Sequence, residues 1–220
     1  MRVGIVGVGR IGGNCARQAM RGGHDVVLSF SRNPERLEAL AAELGSGASV
    51  AGAREAAGAD AVILSVGWSV IPDALEAMGS LDGRVVVDTT NHYGRGGLVE
   101  LDGTAAAYNA ARMPGARYTK CFNTLTSAFQ AQTAFREDAR VVQWLCGDDA
   151  EAKELVSGLV WDCGYVAVDV GGTAGCAVME APRRPGAVYG EEYRLPEARA
   201  VVEALAAGRP IPPTPSYDGA

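Results

Sequence analysis

An α/β fold, a doubly wound and mostly parallel sheet with helices on both faces, is what this 220-residue sequence predicts. Three observations carry that expectation. Short runs that are apolar at nearly every position alternate with helix-forming stretches, as strands covered on both faces require. A glycine-rich turn follows the first of those runs directly. The chain holds 29 glycines and abundant alanine against only 6% aromatics, so its core must be built from small side chains set close together.

The clearest strands are Arg2–Val6, Asp25–Ser31, Ala59–Val66 and Arg84–Thr89. Between them Ile11–Arg21, Pro34–Leu44 and Pro72–Met78 have helix-forming composition, and Asn33-Pro34 is a good helix start. Strand–helix–strand alternation implies right-handed crossovers and parallel neighbours. The rhythm continues with strands at Tyr118–Phe122, Val141–Cys146 and Tyr165–Val170 and a helix at Asp149–Val160, which extends the sheet by extra C-terminal strands. After Glu180 the character changes. Ala181–Gly186 is linker-like, Pro196–Ala207 is helical, and Arg209–Pro215 is too rich in proline for helix or sheet. The chain therefore divides into a nucleotide-binding domain, residues 1–180, and a small C-terminal helix and arm, residues 181–220, that wraps the domain or a second subunit.

A net charge of −6 and an isoelectric point near 5.0 offer no basic face to nucleic acid or an anionic membrane. An anionic ligand must be caught by a local device. All but two of the 20 cations are arginine, the exceptions being Lys120 and Lys153. The five cysteines, Cys15, Cys121, Cys146, Cys163 and Cys176, include no C-x-x-C pair, so they read as small buried hydrophobes in a reducing compartment. With no secretory signal at the N-terminus and no apolar run of roughly 18–20 residues, the expected location is cytoplasmic.

The most informative segment is Gly7-Val8-Gly9-Arg10-Ile11-Gly12. G-x-G-x-x-G between a first strand and a first helix allows a tight turn, lets a pyrophosphate approach backbone amides and packs helix on strand, the Rossmann-type arrangement for a dinucleotide. At the end of the second strand an acidic residue would take the ribose 2′-hydroxyl of NAD. Here Ser31 and Arg32 stand instead, a hydroxyl and a guanidinium suited to a 2′-phosphate, so NADP(H) is the expected cofactor. Arg10 adds a charge on the adenosine side or is a solvated first-turn residue.

In an open parallel sheet ligands lie outside the carboxyl ends of the strands. Val66-Gly67-Trp68, Thr89-Thr90-Asn91-His92-Tyr93 and Cys121-Phe122-Asn123-Thr124 all follow strands at that edge and are expected around the nicotinamide. Gly67 permits close approach; Trp68 walls the site or packs on the next helix. Asn91 and Asn123 hold a carboxamide or a substrate carbonyl, or cap a turn. His92 is the better proton donor of two histidines, with Tyr93 able to take the role and a plainly solvated side chain the alternative; His24 reads as structural. Asp148-Asp149 with Glu151 open a helix and call for no metal, and nothing beside Cys121 makes it a nucleophile. Gly171-Gly172-Thr173 is a candidate flexible approach to the substrate. Tyr189-Gly190-Glu191-Glu192-Tyr193 mixes aromatic faces with acids, as a cationic iminium or a subunit contact would use.

Taken together, Gly7–Gly12 with Ser31-Arg32, Trp68, Phe122-Asn123-Thr124, Cys146-Gly147-Asp148-Asp149 and Gly164–Gly171 resemble the NADPH-dependent reductases related to the archaeal coenzyme F-420:NADP oxidoreductase, from Met1 to about Glu180. The resemblance implies a Rossmann domain with an extended sheet, frequent homodimerisation and direct hydride transfer from the nicotinamide. The expected protein is thus an NADPH-dependent oxidoreductase acting on a small molecule in a pocket bounded by Trp68, His92, Asn123 and the arm. Deazaflavin coenzyme F-420 is the acceptor the resemblance implies. The tail beyond Pro182 differs from that of the deazaflavin reductases, which leaves an imine or carbonyl metabolite as the alternative; a non-catalytic NADP-binding redox sensor is the rival from another class.

Overall fold

Arg2–Val6 is buried at every position after its first, so a strand here must be covered on both faces, and it takes the middle of the sheet. It forms β1 in a computed structural model that describes residues 1–217. α1 (Arg10–Arg21), β2 (Asp25–Ser29), α2 (Pro34–Leu44), β3 (Ala48–Val50), α3 (Ala53–Ala57) and β4 (Ala61–Leu64) follow. A 3-10 turn over Trp68–Val70 leads into α4 (Ile71–Met78) and β5 (Val85–Asp88), then a small hairpin of β6 (Tyr93–Gly94) and β7 (Gly97–Leu98). The remainder is α5 (Ala105–Ala111), β8 (Arg117–Lys120), α6 (Ser127–Thr133), β9 (Val142–Gly147), α7 (Ala150–Asp162), β10 (Val166–Asp169), a 3-10 segment over Thr173–Met179, and α8 (Leu195–Ala206).

The eight-stranded sheet runs β3-β2-β1-β4-β5-β8-β9-β10. From β3 to β8 every neighbour is parallel; β9 turns antiparallel to β8, and β10 is parallel to β9. The expected doubly wound, mostly parallel sheet with extra C-terminal strands is what forms. Alternation along the strands sorts their side chains into two cores. Val3, Ile5, Val26, Leu28, Ile63 and Val87 face one layer with Cys15, Leu40 and Val156 of the helices. Val6, Val27, Val62, Leu64 and Val86 face the other, with Ala56, Ile71, Ala106 and Val201. Small residues set the layer spacing: a Cβ on Gly4 would stand 2.0 Å from the Ala56 carbonyl oxygen, so α3 lies on β1 at backbone distance.

The register places the ligand edge. Val6 is level with Ser29 and with Leu64, Leu64 with Asp88, and Asp88 with Lys120. The segments after β1, β2, β4, β5 and β8 therefore emerge along one line. The antiparallel β9 carries Val142 past the end of β8, where its amide donates to the Tyr193 carbonyl at 2.8 Å. Residues after Glu180 pack into the second core: Tyr193 meets Trp144 edge to face at 5.3 Å, and α8 buries Ala198, Val201 and Ala204. The short α3, α5, α6, β3 and the β6–β7 hairpin are absent from the sequence reading because each is too brief to show a period; α5 and α6 are nevertheless capped by Thr104 and Thr126. Among the described residues no helix is long and apolar enough to cross a membrane, and no group of three His, Cys, Asp or Glu side chains is placed to hold a metal ion.

Candidate functional site

The glycines of the first turn do three different jobs. Gly7 has φ +99°, a backbone conformation that side-chain-bearing residues rarely adopt, and a Cβ there would lie 2.3 Å from the Ser65 oxygen. A Cβ on Gly12 would lie 2.0 Å from the Gly7 oxygen, so this glycine seats α1 against β1. Gly9, the N-cap of α1, is exposed, and a Cβ on it would meet nothing within 4 Å. No side chain caps α1 and its first turn holds no acid. Its leading amides thus point, without a protein partner, into open space at the positive end of the helix. Those residues fit a pyrophosphate.

Gly7, Val8 and Gly9 form the floor of a cleft of about 740 Å3, with Phe30, Ser31, Arg32, Asn33 and Arg36 on one side and Ser65, Val66, Gly67, Ser69 and Val70 on the other. Among the described residues no carboxylate lines it. Phe30 adopts φ +59° immediately after β2, turning the chain so that Ser31 and Arg32 reach the cleft. The Ser31 hydroxyl is fixed by the Asn33 backbone, accepting from its amide at 3.1 Å and donating to its carbonyl at 2.9 Å. Arg32 and Arg36 are exposed and have no ion-pair partner among the described residues. Arg36 lies in the first turn of α2, whereas Arg32 precedes the Asn33 N-cap, so no helical spacing in the sequence joins the two. Arg10 is exposed in the first turn of α1 and lines an adjoining cavity of about 570 Å3, beside Asn14 and Arg17, that shares Val8, Gly9 and Arg36 with the Arg32 cleft. Ile11 packs against the first core.

Trp68 departs from expectation. It does not line the cleft; its ring turns inward, tilted against Tyr108 at 5.7 Å and edge-on to His92 at 6.0 Å. Burial of a large apolar ring outweighs exposure at the mouth.

At the other end of the edge, the loops after β5 and β8 come together as expected. Asn91 donates through Nδ2 to the Asn123 carbonyl at 2.9 Å, and Asn123 donates through Nδ2 to Asn91 Oδ1 at 3.2 Å and to the Met179 carbonyl at 2.8 Å. The two amides clasp the loops to each other and to the 3-10 segment. Phe122, at φ +59° and fully buried, aims Asn123 into this clasp. His92 is not solvated: it is 9% exposed and its Nδ1 is buried without a hydrogen-bond partner among the described residues. Burial pulls its imidazole below the ordinary value, a pull opposed by the Glu180 carboxylate and reinforced by Lys120 and Arg184.

Beneath these loops lies a buried polar network. Asp88 Oδ1 accepts from the Thr90 amide at 2.7 Å, and its Oδ2 accepts from Asn109 Nδ2 at 2.7 Å and from the Tyr118 hydroxyl at 2.6 Å. Lys120, fully buried, donates to the Thr90 carbonyl and stands 3.7 Å from Asp88 Oδ2. Burial, then the Asp88 charge, pushes the Tyr118 phenol well up. Glu180 reaches across to accept the Ala105 and Ala106 amides at 2.8 Å each. Sequence could rank Lys120 as rare but not bury it.

The arm closes over this end. Gly190 donates its amide to the Thr124 carbonyl at 2.8 Å, and Val188 donates to the Val178 carbonyl at 2.9 Å. The acids of Tyr189–Tyr193 are answered inside the chain: Glu191 by Arg183 at 2.6 and 2.9 Å, and Glu192 by Arg136 at 3.0 Å. Gly171-Gly172-Thr173 is held, not loose, because Asp148 accepts from the Thr173 amide and hydroxyl at 3.0 and 2.6 Å. Asp149 caps α7 through the Ala152 amide at 2.8 Å and pairs with Arg117 at 2.7 Å, which draws its carboxyl below the usual range. All five cysteines are buried, and burial pushes the Cys121 thiol up. His24, buried, lies between the N-terminus and Asp162.

Residues 2–92 match the model of a family described as NADP oxidoreductase, coenzyme F420-dependent. This stretch runs from β1 through the loop after β5 and includes the glycine turn, Ser31 and Arg32. Over these residues the chain is similar to that family of NADP oxidoreductases. Beyond the family model, the metalloreductase STEAP3 of Rattus norvegicus is 31% identical over 181 residues, a match that covers 82% of this chain and 36% of that protein. The chain therefore spans about a third of the length of this relative. Among solved structures, the hypothetical protein SMa0349 from Sinorhizobium meliloti superposes with a TM-score of 0.77 at 24% identity, over 88% of this chain and 94% of that one. A protein assigned as an F420-dependent NADP-reductase, from Arthrobacter sp. FB24, gives 0.65 at 22% identity, over 78% and 84%. An imine reductase from Aspergillus terreus, in complex with NADPH4 and dibenz[c,e]azepine, gives 0.58 at 20% identity, over 79% and 57%. At such identities the likeness to the solved structures is one of fold.

Proposed function

We propose that the chain is an NADPH-dependent reductase whose open cleft holds the adenosine and pyrophosphate of the cofactor. The observation that carries this reading is the pairing of partnerless α1 amides at Gly9 with the Ser31-Arg32-Arg36 wall, in a cleft that no carboxylate among the described residues lines. The amides meet the pyrophosphate; the guanidiniums meet the 2′-phosphate by charge-assisted, bidentate contact. Val66 and Gly67 bound the cleft on the way to the Asn91–Asn123 clasp, where the nicotinamide end belongs. The cofactor supplies a hydride; the protein's part is to hold donor and acceptor in line and to exclude water. His92 donates a proton only as an imidazolium, a form its burial disfavours, and only once the arm moves aside; as the neutral ring it packs Trp68.

For the acceptor, coenzyme F-420 stands first, supported by the family that residues 2–92 match. An imine or carbonyl metabolite stands second, because the arm covers the loops after β5 and β8. Equilibrium titration should show NADPH bound at least about tenfold more tightly than NADH, the scale of one charge-assisted contact. Loss of NADPH absorbance with a deazaflavin, a cyclic imine and a ketone then ranks the acceptors. Tight NADPH binding without turnover of any of the three would replace the reductase with a non-catalytic sensor.

A further inference from the structure

A third guanidinium enters the cleft from a part of the chain that the glycine motif and the β2 end do not touch. Arg95 lines the same 740 Å3 cleft as Arg32 and Arg36. It sits at the tip of the β6–β7 hairpin, in the two-residue turn between the paired Gly94 and Gly97. Gly97, at φ +119°, takes a conformation that a side chain would resist. The hairpin is anchored at its root: Tyr93 donates its amide to the Asn91 carbonyl at 2.8 Å, and Val99 donates to the His92 carbonyl at 2.8 Å. Arg95 is exposed and makes no ion pair or side-chain hydrogen bond among the described residues. Three cations that share a cleft lined by no carboxylate among the described residues repel one another until an anion joins them.

Resting on the NADP reading of that cleft, we infer that Arg95 is the third cation of the 2′-phosphate site, delivered across the cleft by the hairpin. Arg32 and Arg36 hold the phosphate from the β2–α2 side; Arg95 closes on it from the β5 side. The same hairpin leaves the Asn91–Asn123 clasp, so binding at the adenosine end also steadies the loop that carries His92.

The test uses the whole chain and four ligands, NADPH, NADH, 2′,5′-ADP and 5′-AMP, with Arg95→Ala and Arg95→Lys. Arg95→Ala should weaken NADPH and 2′,5′-ADP by about tenfold and NADH and 5′-AMP by less than about twofold, the pattern of a lost charge-assisted contact to one phosphate. Arg95→Lys should recover part of the loss, more so at low salt. Equal weakening of NADPH and NADH, or no change in either, would overturn the assignment while wild-type preference for NADPH stands. Wild-type protein that binds NADH as well as NADPH and ignores 2′,5′-ADP would instead remove the NADP reading, and this inference with it.

Discussion

At the carboxyl ends of β1 and β2 the chain leaves amides and guanidiniums facing open space, whereas at the carboxyl ends of β5 and β8 the polar groups are mostly bonded to other parts of the protein, with His92 Nδ1, Asn123 Oδ1 and Thr124 Oγ1 buried and unpartnered among the described residues. Gly9, Arg32, Arg36 and Arg95 are exposed around a cleft. Asp88, Lys120 and Asn109 are buried in one network, while Asn123 and Glu180 are buried and tie loops to neighbouring backbone. One end of the sheet edge stores unmet hydrogen-bonding capacity for a ligand; the other spends its capacity on holding loops in place. Changes at the first end should alter binding with little effect on folding, and changes at the second should do the reverse.

The largest expected effect breaks the buried end. Lys120→Met removes the cation beside Asp88 and should destabilise the fold by about 3–5 kcal/mol, the usual cost of stranding one partner of a buried pair; chemical denaturation measures it, and a loss below about 1 kcal/mol would mean that Asp88 is satisfied by Thr90, Asn109 and Tyr118 alone. Next, Gly12→Ala drives a methyl into the Gly7 carbonyl and should cost about 1–3 kcal/mol in the same assay. Gly9→Ala, three residues earlier, should leave stability within about 0.5 kcal/mol and weaken NADPH, because its methyl has room until a pyrophosphate arrives. Equal stability losses at both glycines would erase the distinction.

Arg32→Ala should weaken NADPH by about 10–100-fold, the range for a charged hydrogen-bonding group, and barely change NADH or the melting temperature. Titration calorimetry of both cofactors reads the ratio. The smallest effect concerns pH. Burial holds both His92 and His24 below their ordinary value of 6.5, so the unfolded chain binds more protons than the folded one as pH falls through that value. Stability from this source is whole above about pH 6.5 and declines below it. His92→Gln should flatten that decline between about pH 5 and 7 in thermal melts; an unchanged slope would assign it to His24.

Local rules made much of this legible in advance. The α2 helix runs over the residues its Asn33-Pro34 start implies, and Asn33 caps it by accepting the Glu35 amide at 2.9 Å. The strand ends, the glycine turn and the Ser31-Arg32 pair follow from patterns confined to a few consecutive residues. Trp68, Arg10 and His92 were not decided that way. Which direction each side chain faces depends on neighbours far along the chain: Tyr108 for Trp68, α2 and α6 for Arg10, Glu180 for His92.

Arg36 and Arg95 mark the same boundary from the other side. Arg36 sits in the first turn of α2 and Arg32 just before its N-cap, so their shared wall follows from how that helix start meets the cleft. Arg95 joins it only because the sheet order sets β5 beside β4 and the hairpin turns back across the cleft. By itself the sequence determined the fold class, the glycine turn between β1 and α1 and the Ser31-Arg32 pair after β2, since each rests on backbone conformation or chemistry within one short segment. The docking of the arm on the loop after β8, the burial of Lys120 and the placing of three arginines around one cleft were decided by the tertiary structure, because contacts between residues far apart in the chain exist only once the sheet register and the path of the arm are set.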